Sequence, residues 1–378
     1  GRRCLSGSGA APESSRLAAQ PLRPIRFLVP GTSGRLRGGG LLVELQTARL
    51  LLQQLPTEVV TYRRREEGRP FLADLLRAEP LGSPAARRVL WIVSWGFEVP
   101  RQLRALRGRP VAYHAHSSGY GFGLPAGVPV LAASRNTLGY WGQWASRNPL
   151  FLVPNALEPM WHQRGDRPGN LGAGAAPGGR SIDVLVQRRK SSAYLLEQLV
   201  PALRARGLAV TVQDGWVEDL VDLFNGATVV LYDSADHWRA SGVSEGFGLP
   251  PLEALACGCV VFSSLNHALA DNLDPGGLAH QIGAGTLAAD LERIAAAVAD
   301  PGAWLPPARQ LEHLLEEHGE ARLRQRWRQA LEAINAHFDR LDAGEPPLRA
   351  PSLAALRWRR WRQRLARLLP AGTARRGA

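Results

Sequence analysis

Residues 229–262 read VVLYDSADHWRASGVSEGFGLPPLEALACGCVVF, and this stretch decides the fold. A β-rich run, Val229 to Tyr232, enters a polar loop carrying Glu245, Gly246, Phe247 and Gly248. Leu249 to Ala256 is a short run of good helix formers with Pro250 in its first turn, where a missing N–H costs nothing. Gly258 stands at the C-terminal punctuation position, and Val260 to Phe262 is a second apolar strand. Strand, glycine loop, helix, strand makes a βαβ unit whose helix N-terminus faces the loop, ready for an anion.

Glu245 lies in that loop and Glu253 about one turn into the helix, with seven residues between them. Both can face the space above the carboxyl edge of a parallel sheet, where ligands of open α/β sheets bind. A carboxylate accepts a hydrogen bond on each oxygen and so suits vicinal hydroxyls. Gly246 and Gly248 let backbone N–H groups approach a ligand with no Cβ in the way. A sugar ring and a ribose fit this description.

The segment EGFGLPPLEALACG resembles the signature of retaining glycosyltransferases of family 4, whose GT-B fold has two Rossmann-like domains. The resemblance implies an α/β protein with parallel sheets facing across a cleft and C-terminal helices that cross back. It implies that Glu245 and the backbone of Gly246, Phe247 and Gly248, with Leu249 beside them, hold the donor sugar, and that Glu253 binds the ribose. It holds strongly over 181–283 and more weakly over 24–157.

Of the 46 basic residues, 45 are Arg and one is Lys190. An ammonium is a compact, flexible point charge where a guanidinium is a rigid fork, so a lone lysine in so Arg-biased a chain points to a need for it. Lys190 follows the strand SIDVLVQ in the sequence Arg188-Arg189-Lys190. Family members place a basic pair on the donor diphosphate here. The resemblance thus implies that Arg189 and Lys190 act on the leaving group, although which two of the three cations do so is left open.

The N-terminal half opens in a similar way. PIRFLVP (24–30) reads as a strand, followed by GTSGRLRGGG and a long amphipathic helix over about 41–55. The spacing is not GxGxxG, so it does not point to a dinucleotide. It resembles the family's glycine-rich first loop, with Gly38, Gly39 and Gly40 as candidates for approaching donor and acceptor. Strands are expected at 58–62, 89–95, 110–116, 128–134 and 150–155, and their alternation with helical stretches argues for a parallel sheet. The strand VAYHAH places His114 and His116 on one face. The resemblance implies a histidine near the donor's anomeric region. His116 aligns best and His114 is the rival. His-x-His also raises metal binding, but no third ligand stands nearby in sequence, so no metal is expected. VPNAL (153–157) resembles the family's Pro-Asn-Gly motif, with Ala156 where glycine is usual.

These readings divide the chain into a disordered lead-in (1–20), an N-terminal Rossmann-like acceptor domain (21–157) and a Pro/Gly-rich linker (158–180). A C-terminal nucleotide-sugar domain (181–317), a crossing-back helix (318–343) and a basic tail (344–378) follow. Helices are expected over 193–206, 217–224, 286–299 and 307–340.

The net charge is +13. Residues 342–378 hold nine Arg against Asp342 and Glu345, or +7, leaving 13 − 7 = +6 for the other 341 residues. The tail segment SLAALRWRRWRQRLARLLP (352–370) interleaves Arg with Trp358, Trp361 and leucines. Three readings fit it: an interfacial helix on an anionic membrane, a helix packed on the body, and a single-stranded nucleic-acid contact, with nucleic acid the least favoured. No apolar run reaches the ~18 residues of a membrane span. Cys4, Cys257 and Cys259 form neither a disulfide framework nor a metal spacing, which fits a cytoplasmic protein, peripheral on the inner membrane face if the tail binds lipid.

The expected activity is transfer of a sugar from a nucleotide-diphosphate donor to a hydroxyl of a glycan or lipid-linked acceptor, with retention and without metal or other cofactor. Glu245, His116, Arg189 and Lys190 form the catalytic set. Two other readings share the fold: a nucleotide-sugar 2-epimerase, and an inactive domain serving as a basic scaffold on membrane or RNA. A phosphorylase would need pyridoxal phosphate on a lysine, and Lys190 alone is available.

Overall fold

The computed structural model describes residues 21–36, 38–94, 96–170 and 179–368. The lead-in at 1–20, residues 171–178 of the Pro/Gly-rich stretch, and the tail beyond 368 with Leu369 lie outside the described residues.

Among the described residues the strands form two parallel sheets. The first holds β1 (Ile25–Val29), β2 (Thr57–Thr61), β3 (Leu90–Val93), β4 (Val111–Ala115), β5 (Val130–Ala132) and β6 (Leu150–Leu152), in the order β2-β1-β3-β4-β5-β6. The second holds β7 (Ile182–Gln187), β8 (Val210–Gln213), β9 (Ala227–Tyr232), β10 (Val260–Ser263) and β11 (His280–Gln281), in the order β11-β10-β9-β7-β8. Strands such as LWIV and VVFS are buried along their whole length, as parallel strands covered on both faces must be.

Both sheets reverse their winding direction part-way across, and the crevice at such a reversal is where open α/β sheets bind ligands. In the second sheet the reversal falls between β7 and β9. The residues that leave these two strands, Arg188 to Lys190 and Asp233 onward, are thereby placed side by side.

The long helix Glu320–Asp342 returns to the first sheet. Its Leu323, Trp327, Ile334 and Phe338 share a core with Phe27, Ile92 and Leu131. Arg23 fastens it by an ion pair to Asp339 at 2.7 Å and a hydrogen bond to Asn335 Oδ1 at 2.7 Å.

Several expected elements are redrawn. The helix expected over 307–340 is two, Ala308–Glu317 and Glu320–Asp342. The break at His318 serves the hinge: the His318 carbonyl accepts from Leu157 N at 2.9 Å, and its Nδ1 lies 3.2 Å from the carbonyl of Asn155 in the VPNAL segment. The helix expected from 217 starts at Leu220, because the Asp219 side chain caps it by accepting from Asp222 N. The 193–206 helix is widened to a π turn over Tyr194–Leu199, which ends two residues before Pro201, a residue with no N–H to donate. The linker is not wholly irregular: Pro159–Arg164 is helical and buries Trp161 against Phe224, ring centres 5.4 Å apart. The tail is the largest difference. Leu353–Leu368 is a helix, yet each of its residues is exposed, so the reading of a tail packed on the body is not met.

Candidate active site

Glu245 is 4% exposed and held from all sides. Its Oε2 accepts from Tyr232 Oη at 2.7 Å, Ser234 Oγ at 3.0 Å and Trp238 Nε1 at 2.6 Å. Its Oε1 faces Lys190 Nζ at 3.5 Å, and its backbone N–H donates to His267 Nδ1 at 3.2 Å. A buried carboxylate persists only with such compensation.

Two backbone features converge on this residue. Among the described residues, Lys190 (φ 65°) and His267 (φ 54°) are the non-glycine residues with positive φ. Left-handed backbone disfavours side chains with a Cβ and is retained where the surroundings over-determine it. Both strained residues touch Glu245.

The Lys190 ammonium lies 4.5 Å from the centre of the Trp238 ring, a cation–π contact. Burial lowers its pKa; Glu245 opposes that and Arg189 adds to it. Arg188 turns instead to Asp214 at 2.8 Å. Arg189 is exposed, and its charge also lowers His237, after burial and Lys190. Of the three cations, Lys190 contacts Glu245, Arg188 is paired with Asp214, and the charge of Arg189 reaches Lys190 and His237.

Glu253 sits behind. Burial, and then the Glu158 carboxylate, push its pKa up to about 8. The Tyr232 phenol, hydrogen-bonded to Glu245, also feels the charge of Glu253, so the two acids flank one side chain. Phe247 does not point to this pocket: it is buried in the C-terminal core and meets the His318 ring at 5.1 Å. Gly248 has φ 86°, and a Cβ there would strike Leu269. Leu249 starts the helix Leu249–Ala256.

The opposite wall comes from the N-terminal domain. His116 follows β4, and its Nε2 lies 2.6 Å from Glu44 Oε1. His114 Nδ1 hydrogen-bonds the same oxygen. Burial alone would raise Glu44, but the two histidines hold it down at about 2. His114 is fully buried, lowered by that burial, and edge-on to Trp327 at 5.0 Å. His116 is the more open of the pair, and its Nδ1 has no partner among the described residues. Gly40 faces it: a Cβ there would stand 3.7 Å from His116 Cδ2, while one on Gly39 would meet open space.

Glu44, on the helix Gly39–Leu52, is the third potential metal ligand that sequence spacing did not offer. The ligand atoms of Glu44, His114 and His116 lie within 4.8 Å of one another. The ring nitrogens facing Glu44 already bond to its Oε1, so a cation would have to displace both contacts.

The two walls touch. A Cβ on Gly246 would overlap the His116 carbonyl oxygen, and one on Gly119 would come within 2.6 Å of the Gly242 carbonyl. Ser117 Oγ donates to the Ser244 carbonyl at 2.6 Å, Ser118 N donates to Ser244 Oγ at 2.9 Å, and Ser244 N donates to the Ser118 carbonyl at 3.0 Å. Gly246 thus answers first to the neighbouring domain. A cavity of about 230 Å³ also lies between the domains, lined by Arg135, Asp271, His313, His318 and Arg326, on the hinge side of the Glu245 pocket.

Solved structures share this architecture. Sucrose-phosphate synthase from Thermosynechococcus elongatus matches over 85% of this chain and 100% of its own, at 16% identity and a TM-score of 0.52. A glycosyltransferase from Rickettsia africae matches over 83% and 98%, at 10% identity and 0.59. The HepE protein of Anabaena, solved in complex with UDP, matches over 82% and 100%, at 16% identity and 0.52. The fold is GT-B. No protein-family model and no curated protein matches the sequence.

In the GT-B frame the Glu245 and His116 loops face each other across the cleft. Tyr232, Ser234, Trp238, His267, Ser244 and Glu44 belong to this site and escaped sequence reasoning. Glu44 alone left a trace, as the single acid in the otherwise apolar and uncharged first two turns of its helix.

Proposed function

We propose that the chain is a glycosyltransferase that moves a sugar from a nucleotide-diphosphate donor to a hydroxyl of a glycan or lipid-linked acceptor, with retention of configuration and without a divalent metal. The observation that carries this reading is the Lys190–Glu245 contact at the winding reversal of the second sheet. Cleaving the anomeric C–O bond leaves cationic character on the sugar and negative charge on the diphosphate. Lys190, Arg189 and the helix N-terminus at Leu249 supply the countercharge for the departing diphosphate. Partial burial strengthens the ammonium's pull, since less solvent screens it.

Glu245, aligned by three donors, orients a sugar hydroxyl through its Oε1 edge. Glu253, protonated near neutral pH, can both donate to and accept from ribose hydroxyls. Glu44 holds His116 by Nε2, so the buried, unpartnered Nδ1 is the ring atom left to meet a ligand once the two loops part. Contact between the two loops keeps out water, whose attack would hydrolyse the donor. The UDP bound to HepE, a protein of the same fold, supports a nucleotide donor.

The test is thermal shift with UDP- and GDP-sugars, followed by transfer assays with the stabilising donor and NMR of the product anomer. Stabilisation by one nucleotide sugar and its parent diphosphate, unchanged by chelator, with transfer and a retained anomer, is expected. Silence toward all donors, or release of an epimerised free sugar nucleotide, would overturn it.

A further inference from the structure

The helix Leu353–Leu368 takes no part in the site described above, and each of its residues is exposed. It holds six Arg (357, 359, 360, 362, 364 and 367) and no acid. Five of its apolar residues, Ala354, Trp358, Trp361, Leu365 and Leu368, recur at intervals of four, three, four and three, which lines them along one side of an α-helix, while Leu353 and Leu356 in the first turn fall outside that line. Arg357, Arg362 and Arg364 border this stripe, and the other three guanidiniums fan round the remaining circumference. Trp358 and Trp361 stack with ring centres 4.9 Å apart at 25°, yet they are 58% and 50% exposed, and Leu368 is 78% exposed. Leaving such side chains in water forfeits roughly 1.5–3 kcal/mol each on burial.

The helix hangs from the acceptor-side domain. Its lead-in carries Pro346, Pro347 and Pro351, and Pro347 packs so closely on Gly127 that a Cβ there would stand 2.9 Å from it. His337 Nε2 lies 2.7 Å from the Gly127 carbonyl and braces the same loop.

We propose that this helix is an interfacial anchor that lies on an anionic lipid surface, with the Trp–Leu stripe in the acyl boundary and the arginines among the headgroup phosphates. A narrow apolar stripe with aromatic rings, wrapped in unopposed positive charge, is complementary to that surface in both respects. Two alternatives fit less well. A second copy of the helix would bring two six-fold cationic surfaces together. A single-stranded nucleic acid needs separated aromatic faces on which successive bases stack, whereas these rings stack on each other and continue into leucines. The proposal stands independently of the transferase reading, because its test measures no activity.

The test is sedimentation of the full chain with vesicles of phosphatidylcholine alone or with about 40% phosphatidylglycerol, at about 0.1 M and about 0.5 M salt. Binding to the anionic vesicles only, weakened by salt, is expected. Trp358→Ala/Trp361→Ala should cut partitioning roughly tenfold at both salt concentrations, and Arg360→Gln/Arg364→Gln roughly tenfold at the lower one. Both pairs lie on a helix whose residues are all exposed, so the melting temperature should not move. Equal binding to both vesicle types, no binding, or no loss in the Trp variant would overturn the proposal. So would a concentration-dependent dimer abolished by the Trp changes, or a single-stranded RNA bound more tightly than the vesicles.

Discussion

Lys190 and Glu245 face each other at 3.5 Å, the lysine at φ 65° and the glutamate held by three other side chains. The pair is asymmetric: Glu245 is fixed through Oε2, whereas its Oε1 meets only Lys190, which has this one weak ionic partner and the Trp238 face. A second anion can therefore draw the ammonium away while Oε2 keeps its three donors and Oε1 turns to a sugar hydroxyl.

Lys190→Gln should lower kcat/KM by about 10²–10³, the loss seen when one electrostatic donor is removed. Lys190→Arg should recover little, because a planar fork does not fit where a point charge stacks on Trp238. Burial lowers the pKa of Lys190, so the protonated form is lost at a lower pH than for a free lysine. The rate should accordingly fall on the alkaline side earlier than free lysine chemistry predicts, and Lys190→Arg should remove that limb while remaining slow. A wild-type profile flat up to the ordinary lysine range would contradict this assignment.

Gly246→Ala should separate the domains without unfolding either one. Its new methyl would occupy the position of the His116 carbonyl, so the two loops must part. Small-angle scattering should show a larger radius of gyration than wild type, and activity should drop about a hundredfold or more as closure fails. Ser244→Ala, which removes the hydroxyl that accepts from Ser118 N, should loosen closure more mildly, with the radius restored by donor. Identical scattering for wild type and Gly246→Ala would refute the argument.

The sequence made β9, the glycine loop and β10 legible because apolar runs, a left-handed Gly248 and the C-terminal Gly258 are local signals. The solitary Lys190 was legible for a different reason: composition singled it out, and the reversal between β7 and β9 then placed it on Glu245. What stayed hidden depends on register between elements distant in sequence. Ser244 meets Ser118 across 126 positions, and Glu44 meets His116 across 72. Phe247 divides its two parts: its backbone belongs to the glycine loop expected at the donor, while its ring is drawn inward to the C-terminal core.

Glu253 should make stability depend on pH in a set direction. A free glutamate releases its proton near 4.5, but in the folded chain burial and Glu158 hold the proton on to about 8. Unfolding between these values releases a proton, so the contribution of Glu253 to stability falls as pH rises through this window. Glu253→Gln removes that dependence. Its melting temperature should match wild type below about pH 4.5, exceed it by a margin that grows through the window to about 2–4 °C, and run parallel to it above about pH 8. Parallel melting curves within the window itself would show that Glu253 is solvated.

Glu44 should behave in the opposite way. His114 and His116 hold its pKa at about 2 against burial, so its stabilising contribution is complete above about 4.5 and is lost as pH falls toward 2. Glu44→Gln leaves one buried N–H poorly satisfied and should cost roughly 2–4 kcal/mol at neutral pH, a difference from wild type that shrinks on acidification. It should also release the His116 ring, whose Nε2 proton is fixed by Glu44. A fall in kcat of about ten- to a hundredfold with little change in donor KM, and a mixed His116 tautomer by ¹⁵N NMR, should accompany the loss of stability. A variant that is destabilised yet keeps its kcat and a single tautomer would confine Glu44 to holding the core.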